Sequence, residues 1–376
     1  MKPIPYGRQT INEADIDAVG AVLGSDLITT GPITAEFEQA LCTYTGAKYA
    51  VAVANGTAAL HLASLAILKP GDQVLTTPNS FLATSNAILY AGAKPIFVDI
   101  CEDGNIDLDL CKEAIEKNPR IKALYGVAFS GNMLDQQRLK ALKEKFGITI
   151  LEDNAHAIGA TQNGIKAGSC KYSDCSIFSF HPVKNMTTGE GGAITTNVKE
   201  IYEKLLLLRN HGMQRRSDIA PWYYEMRDLG FNYRITDFQC ALGLSQLSKL
   251  DRFLAKRRAI AKRYHERFEG TVIKLLYPWN EGSAYHLFVV RIDFMKTAIS
   301  KKELFLKLLA KGVGVQLHYI PINRQPYYQD LGYGDEKTPV MDRYYEEALS
   351  LPIYPLLSEE EQAYVIETLF EALAHA

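Results

Sequence analysis

Cys175-Ser176-Ile177-Phe178-Ser179-Phe180-His181-Pro182-Val183-Lys184-Asn185-Met186-Thr187-Thr188-Gly189-Glu190-Gly191-Gly192-Ala193 places a lysine between an apolar strand and a glycine-rich turn. Ser179, Thr187 and Thr188 surround it with small hydroxyl side chains. Burying an ammonium group costs several kcal/mol unless it is paired or neutralised. A lysine held in such a place loses its proton more readily, and its free amine can attack a carbonyl to form a Schiff base. The plain alternative is an exposed lysine in a loop, which is the usual place for one. A second motif upstream decides between them.

That motif is Ile148-Thr149-Ile150-Leu151-Glu152-Asp153-Asn154-Ala155-His156-Ala157. Four apolar or β-branched residues read as a short buried strand, and the acids arrive where it ends. In an open α/β sheet the carboxyl ends of the strands face the ligand crevice. Asp153 alone reads equally well as a helix cap. Together with Lys184 it matches the pair that pyridoxal 5'-phosphate requires: a lysine for its aldehyde and a carboxylate for its pyridine nitrogen. A third stretch offers a phosphate site. Tyr49 to Ala54 reads as a strand, Asn55-Gly56-Thr57 as a turn, and Ala58 to Leu68 as a helix stopped by Pro70-Gly71. A helix N-terminus attracts anions, Gly56 admits close backbone approach, and Thr57 and Ser179 add hydroxyls. Phe81, at the start of the next helix, has the shape to stack on a planar ring, although a core aromatic fits there too.

With these motifs in place, the chain resembles the pyridoxal-phosphate-dependent sugar aminotransferases of the DegT/DnrJ/EryC1/StrS family. The resemblance runs from Pro5-Tyr6-Gly7 through Asp26-Leu27-Ile28-Thr29-Thr30-Gly31-Pro32, Asn55-Gly56-Thr57, Glu152 to Ala157, the Lys184 block and Arg209-Asn210-His211-Gly212 to Gly230-Phe231-Asn232-Tyr233-Arg234. It implies a fold type I α/β architecture, with a large domain built on a mainly parallel mixed sheet flanked by helices and a small C-terminal α/β domain. It implies Lys184 as the Schiff-base lysine and proton shuttle, Asp153 at the pyridine nitrogen and His156 beside the cofactor's 3-hydroxyl. Ser179 with Gly56 and Thr57 become phosphate ligands, and Asn232 becomes a phosphate ligand donated by a partner subunit, so that a homodimer shares its sites. Tyr6, the segment Asp26, Leu27, Ile28 and Thr29, and His181, His318 and Tyr319 become sugar contacts. Glu102-Asp103-Gly104-Asn105, His181-Pro182-Val183-Lys184 and Val315 to Pro321 resemble the branch that serves pseudaminic acid synthesis. That branch aminates C4 of a UDP-linked 4-keto-6-deoxy-N-acetyl-hexosamine with L-glutamate. One departure is Ile320, where the branch pattern expects a lysine; a sugar of the perosamine or bacillosamine type is the alternative. Sugar dehydratases of the same family carry histidine at the lysine position, and a non-catalytic relative is expected to lack Lys184 or Asp153.

Whole-chain properties agree with an enzyme of this kind. The 376 residues carry a formal net charge of -2, which gives no electrostatic reason to expect nucleic acid or a membrane as partner. No run is apolar enough to span a bilayer, and Met1-Lys2-Pro3-Ile4-Pro5 lacks the apolar core of a signal peptide. Six scattered cysteines without CxxC spacing read as reduced thiols in a cytoplasmic protein, with no metal. Strand patterns at Gln73–Thr76, Pro95–Val98, Ile121–Val127, Ile148–Leu151, Cys175–Phe178 and Ala193–Thr196 alternate with helical ones, the pattern of a sheet covered on both faces. A helix at 236–247 precedes a basic connecting helix at 249–267, so residues 1–250 are expected to form the large domain and 251–376 the small one. The small domain is expected to hold strands at 285–292 and 313–317 and helices at 301–311 and 358–374.

Overall fold

The computed structural model describes residues 2–374. Its helices and strands follow in the order α1 (Glu13–Leu23), α2 (Pro32–Thr45), β1 (Tyr49–Val53), α3 (Gly56–Ile67), β2 (Gln73–Thr76), α4 (Leu82–Tyr90), β3 (Lys94–Phe97), α5 (Leu108–Lys117), β4 (Ile121–Val127), α6 (Gln136–Phe146) and β5 (Thr149–Asp153). A small hairpin, β6 (Thr161–Gln162) with β7 (Ile165–Lys166), leads to β8 (Cys175–Ser179), β9 (Gly192–Thr196) and α7 (Lys199–Arg209). A second hairpin, β10 (Met213–Arg215) with β11 (Tyr224–Met226), precedes the 32-residue α8 (Asp237–Phe268). The rest comprises β12 (Ile273–Leu275), β13 (Phe288–Ile292), α9 (Lys301–Ala310), α10 (Pro326–Asp330), α11 (Pro339–Glu347), β14 (Ala348–Leu351) and α12 (Glu359–Ala374).

Seven strands form the central sheet in the order β1-β9-β8-β5-β4-β2-β3. Every pairing from β8 to β3 is parallel, and β9 runs antiparallel to both β8 and β1. Side chains alternate across the strands, so each face has its own core. Ile177 and Val51 pack with α3 and α4 on one face, while Phe178 and Ala52 pack with α2 and α8 on the other. This sandwich puts the carboxyl ends of β1, β4, β5 and β8 along one edge, where loops carry the chemistry-bearing residues.

The caps explain several boundaries. The Asp15 carboxylate accepts from the Asn12 N–H at 3.0 Å, closing the start of α1. Asp107 and Asp135 cap α5 and α6. The two expected helices at 236–247 and 249–267 are one continuous helix, because Cys240, Leu247, Leu250, Leu254, Arg257 and Tyr264 line a single buried stripe across the expected break. Residue 250 therefore lies inside α8. The expected strand at 313–317 is absent: Val313 and Gln316 make isolated bridges to Ile4 and Ser350 instead. The expected strand at 285–292 begins at Phe288. Helices α2 and α11 and strand β14 had no counterpart in the sequence reading. Residues 4–6 cross to the C-terminal core, where Gly314 N donates to Ile4 O at 2.7 Å, Ile4 N donates to Gly312 O at 2.8 Å and Tyr6 O accepts from Ile353 N at 3.0 Å. The two cores are further joined by Asp99, which caps α11 through Val340 and Met341, and by Glu102, which pairs with Arg291 and Arg343. No helix of the described residues is long and apolar enough to cross a membrane.

Candidate active site

One cavity of about 690 Å³ lies at the carboxyl edge of the sheet. It is lined by Tyr6, Gly56, Thr57, Phe81, Asp153, His156, Ser179, His181, Lys184, His318 and Tyr319. Thus the structure gathers residues that the sequence scatters over 314 positions, from Tyr6 near the N-terminus to Tyr319 in the C-terminal third.

Lys184 follows β8 through a turn closed by its own N–H, which donates to His181 O at 2.9 Å. Burial lowers its pKa to about 8, against the opposing pull of the Asp153 carboxylate. Asp153 ends β5. The Thr84 hydroxyl donates to its Oδ2 at 2.7 Å and the Ala155 N–H to its Oδ1 at 3.1 Å, so both oxygens are fixed. Burial raises the Asp153 pKa, and these hydrogen bonds and the Lys184 charge oppose the rise. Thr84, on α4, was not identified from the sequence.

His156 is buried, and Tyr319 meets it through an Oη–Nε2 contact of 3.2 Å. Burial holds His156 well below its ordinary pKa, helped by Lys184 and His318. His318 pairs through Nδ1 with Ser350 Oγ at 2.8 Å, and its ring stands 5.6 Å from that of Tyr6. Burial takes its pKa down to about 3. The His318–Tyr319 peptide bond is cis. Phe81 is the N-cap residue of α4 rather than its first helical residue, and its ring is 60% exposed at the cavity, 6.2 Å from that of Tyr319. His181 is exposed at the rim.

Gly56 opens α3, whose cap is the Asn55 side chain accepting from Ala58 N at 2.8 Å. A Cβ on Gly56 would lie 2.9 Å from Ser179 Cβ, and one on Gly192 would lie 2.5 Å from Asn55 O. The three segments therefore approach as closely as backbone permits, which gathers the helix start and the Ser179 hydroxyl into one anion cradle. Cradle, half-buried lysine and fixed carboxylate together fit a phosphorylated aldehyde with a basic ring nitrogen. The Nδ1 of His156 is buried without a protein partner, as expected of a group that meets a ligand. No group of three or more potential metal-ligating side chains occurs among the described residues.

The remaining sequence candidates do not reach this cavity in their own chain. Asp26, Leu27, Ile28 and Thr29 are exposed, and so is Asn232. The two segments are neighbours, for Thr29 bridges to Thr236 and Asp237 N donates to Ile28 O at 3.0 Å. Ile320 is also exposed and does not line the cavity. Conversely, Glu190, His286 and Gln316 line the cavity without having been singled out. Glu190 lies inside the lysine block and was within reach of a sequence reading; His286 carries no local signal.

The chain as a whole is similar to known aminotransferases. The UDP-4-amino-4,6-dideoxy-N-acetyl-beta-L-altrosamine transaminase of Campylobacter jejuni is 40% identical over 98% of this chain and 97% of its own length. Helicobacter pylori PseC, an aminotransferase involved in the biosynthesis of pseudoaminic acid, superposes over 100% of both chains with a TM-score of 0.93 at 31% identity. A sugar aminotransferase from Streptococcus pneumoniae, in its PLP-form, superposes over 99% of both chains with a TM-score of 0.90 at 31% identity. The model of the DegT/DnrJ/EryC1/StrS aminotransferase family matches residues 9–370, and the chain belongs to that family.

Proposed function

We propose that this protein is a pyridoxal 5'-phosphate-dependent aminotransferase that moves an amino group from L-glutamate to C4 of a UDP-linked 4-keto-6-deoxy-N-acetyl-hexosamine, as in pseudaminic acid synthesis. The observation that carries this reading is the meeting of Lys184, the doubly anchored Asp153 and the Gly56–Ser179 cradle in one cavity. Bound there, pyridoxal phosphate supplies an electron sink for the carbon next to the transferred nitrogen. Lys184 would supply the neutral amine that takes a proton from the donor's carbon in one half-reaction and the ammonium that gives a proton to C4 of the sugar in the other. Asp153 would pair with the ring nitrogen and favour its protonated form. Gly56, Thr57 and Ser179 would hold the phosphate, and His156 with Tyr319 would contact the ring. Phe81 offers a stacking face.

Tyr6, His181, His318 and Tyr319 give the acceptor side neutral hydrogen-bonding groups with apolar faces, suited to sugar hydroxyls and an N-acetyl arm. The same cavity serves both half-reactions, so the kinetics are expected to be ping-pong. The test is a panel of nucleotide-linked 4-keto sugars added to enzyme already aminated by glutamate. The UDP-linked N-acetyl sugar should reverse the glutamate-induced change in cofactor absorbance fastest. A faster response to a sugar of the perosamine type would place the enzyme there, in line with Ile320 where a lysine is expected. A simple keto acid outpacing every sugar would end the sugar reading.

The active form is a homodimer in the cytoplasm, each cavity completed by Asn232 and residues 26–29 of the partner subunit. What supports this is the exposure of both segments, their mutual contact and their absence from the lining of their own chain's cavity. The six free cysteines suit a reducing compartment. Mixed Asn232→Ala and Lys184→Ala subunits should regain about a quarter of wild-type activity on random pairing, since half the dimers are hybrids with one intact site each. Hybrids that form yet stay inactive would assign each site to a single chain.

A further inference from the structure

Behind His156 lies a second imidazole to which no role has been given. His286 is 4% exposed and sits just before β13. Its ring centroid is 4.4 Å from that of His156, with the planes inclined by 43°. Both rings carry a buried Nδ1 without a protein partner, and both line the cavity. His156 is already committed through Nε2 to Tyr319.

The backbone around His286 is held tightly. Arg257, fully buried on α8, donates to the carbonyls of Tyr285 and His286 at 3.2 Å each and of Ile353 at 3.0 Å. Ala284 N donates to Gly131 O at 3.0 Å. A Cβ on Gly131 would lie 2.9 Å from Tyr285 N and 3.0 Å from His156 O, so the segment bearing His286 and the residue bearing His156 are locked against the same glycine. A ring fixed this firmly against another, with no hydrogen bond to satisfy it, is an expensive arrangement for a merely structural histidine.

We propose that His286 is a positioning residue for amino transfer: its ring covers one face of His156, keeps water from it and fixes the tilt of that imidazole in the cavity. The inference rests on the assignment of the cavity to pyridoxal phosphate. The groups that face the pair agree with it. Lys184, His318 and Arg257 all disfavour a cation on one ring or the other, and Tyr319 stays neutral, helped by the Asp153 carboxylate. A charge on His156 disfavours a cation on His286, so the two rings are not charged together.

The test is nitrogen-15 histidine NMR of the holoenzyme between pH 5 and 8, with the His156 resonance identified by its loss in His156→Gln. In the wild type it should not titrate. In His286→Ala, water replaces the ring, and His156 should begin to titrate within this range, still below its ordinary value because Lys184 and His318 remain, with a new acid limb in kcat at the same pH and little change in KM for glutamate. His286→Phe restores a dry, flat neighbour and should restore the flat profile. Titration of His156 in the wild type overturns the proposal even if no variant folds. An unchanged profile in His286→Ala, or a His286→Phe that behaves like it, does the same. Failure of the wild type to bind pyridoxal phosphate, read from its absorbance, would strike the functional reading instead.

Discussion

Lys184→Ala and Lys184→Arg should each lower turnover by about 10³-fold or more, since both remove the amine to which the proposed mechanism assigns anchoring of the cofactor and movement of the proton. The arginine variant keeps a long cationic chain but cannot give up its proton, so it separates charge from basicity. Melting temperature should change little in Lys184→Ala, because a half-buried, partly neutral ammonium contributes little net stability. The pH dependence is equally specific. With a pKa of about 8, roughly one Lys184 in ten is neutral at pH 7, against about one in three thousand for an ordinary lysine. Covalent attachment of pyridoxal phosphate to cofactor-free enzyme requires the neutral amine. Its rate should therefore rise with pH up to about 8 and then level off. A rate still climbing at pH 10, or turnover retained in Lys184→Arg, would refute the role given to this residue.

Asp153→Asn should cost about 10²–10³-fold in kcat, with cofactor affinity weakened as well. Asparagine keeps the size of the side chain and much of the bonding to Thr84 and Ala155, so the loss reports the charge. Asp153→Glu, which keeps the charge on a longer arm, should retain more activity than the amide. Stability should move the other way. Burial raises the Asp153 pKa in the folded protein, so below the shifted value the folded state holds a proton that the unfolded chain has released. Stability then falls as pH rises from the ordinary aspartate value through the raised one. Removing the charge removes that loss, and cofactor-free Asp153→Asn should be no less stable than wild type at pH 7. A variant with normal kinetics, or one that simply unfolds, would show that the carboxylate serves the scaffold rather than the ring nitrogen.

Much of the fold was legible because its signals are local. The central strands appear within a residue or two of their expected positions, since each is a short apolar run bounded by turn residues. The capping pair Asn12–Asp15 is set by residues three apart. What escaped was whatever depends on a distant partner. Strand β14 exists because β13 pairs with it, and residues 313–317 fail to become a strand because their bridges go singly to Ile4 and Ser350. The long α8 was split in reading because its basic surface face masked a buried stripe that continues on the other side.

The same division governs the site. Sequence alone determined the chemistry: a lysine after β8, a carboxylate at the end of β5 and a glycine at the start of α3 each sit in a local pattern that favours that residue type there. Only the tertiary structure decided which side chains control them. Thr84 lies 69 positions from Asp153 and reaches its carboxylate because sheet order brings α4 over the end of β5. His286 meets His156 across 130 positions because Arg257 and Gly131 clamp its backbone there. Asn232 and residues 26–29, which looked like members of the site, lie on the surface outside their own chain's cavity. A one-dimensional pattern records what a residue can do, but distance and burial, which set its pKa and its partners, belong to the folded chain.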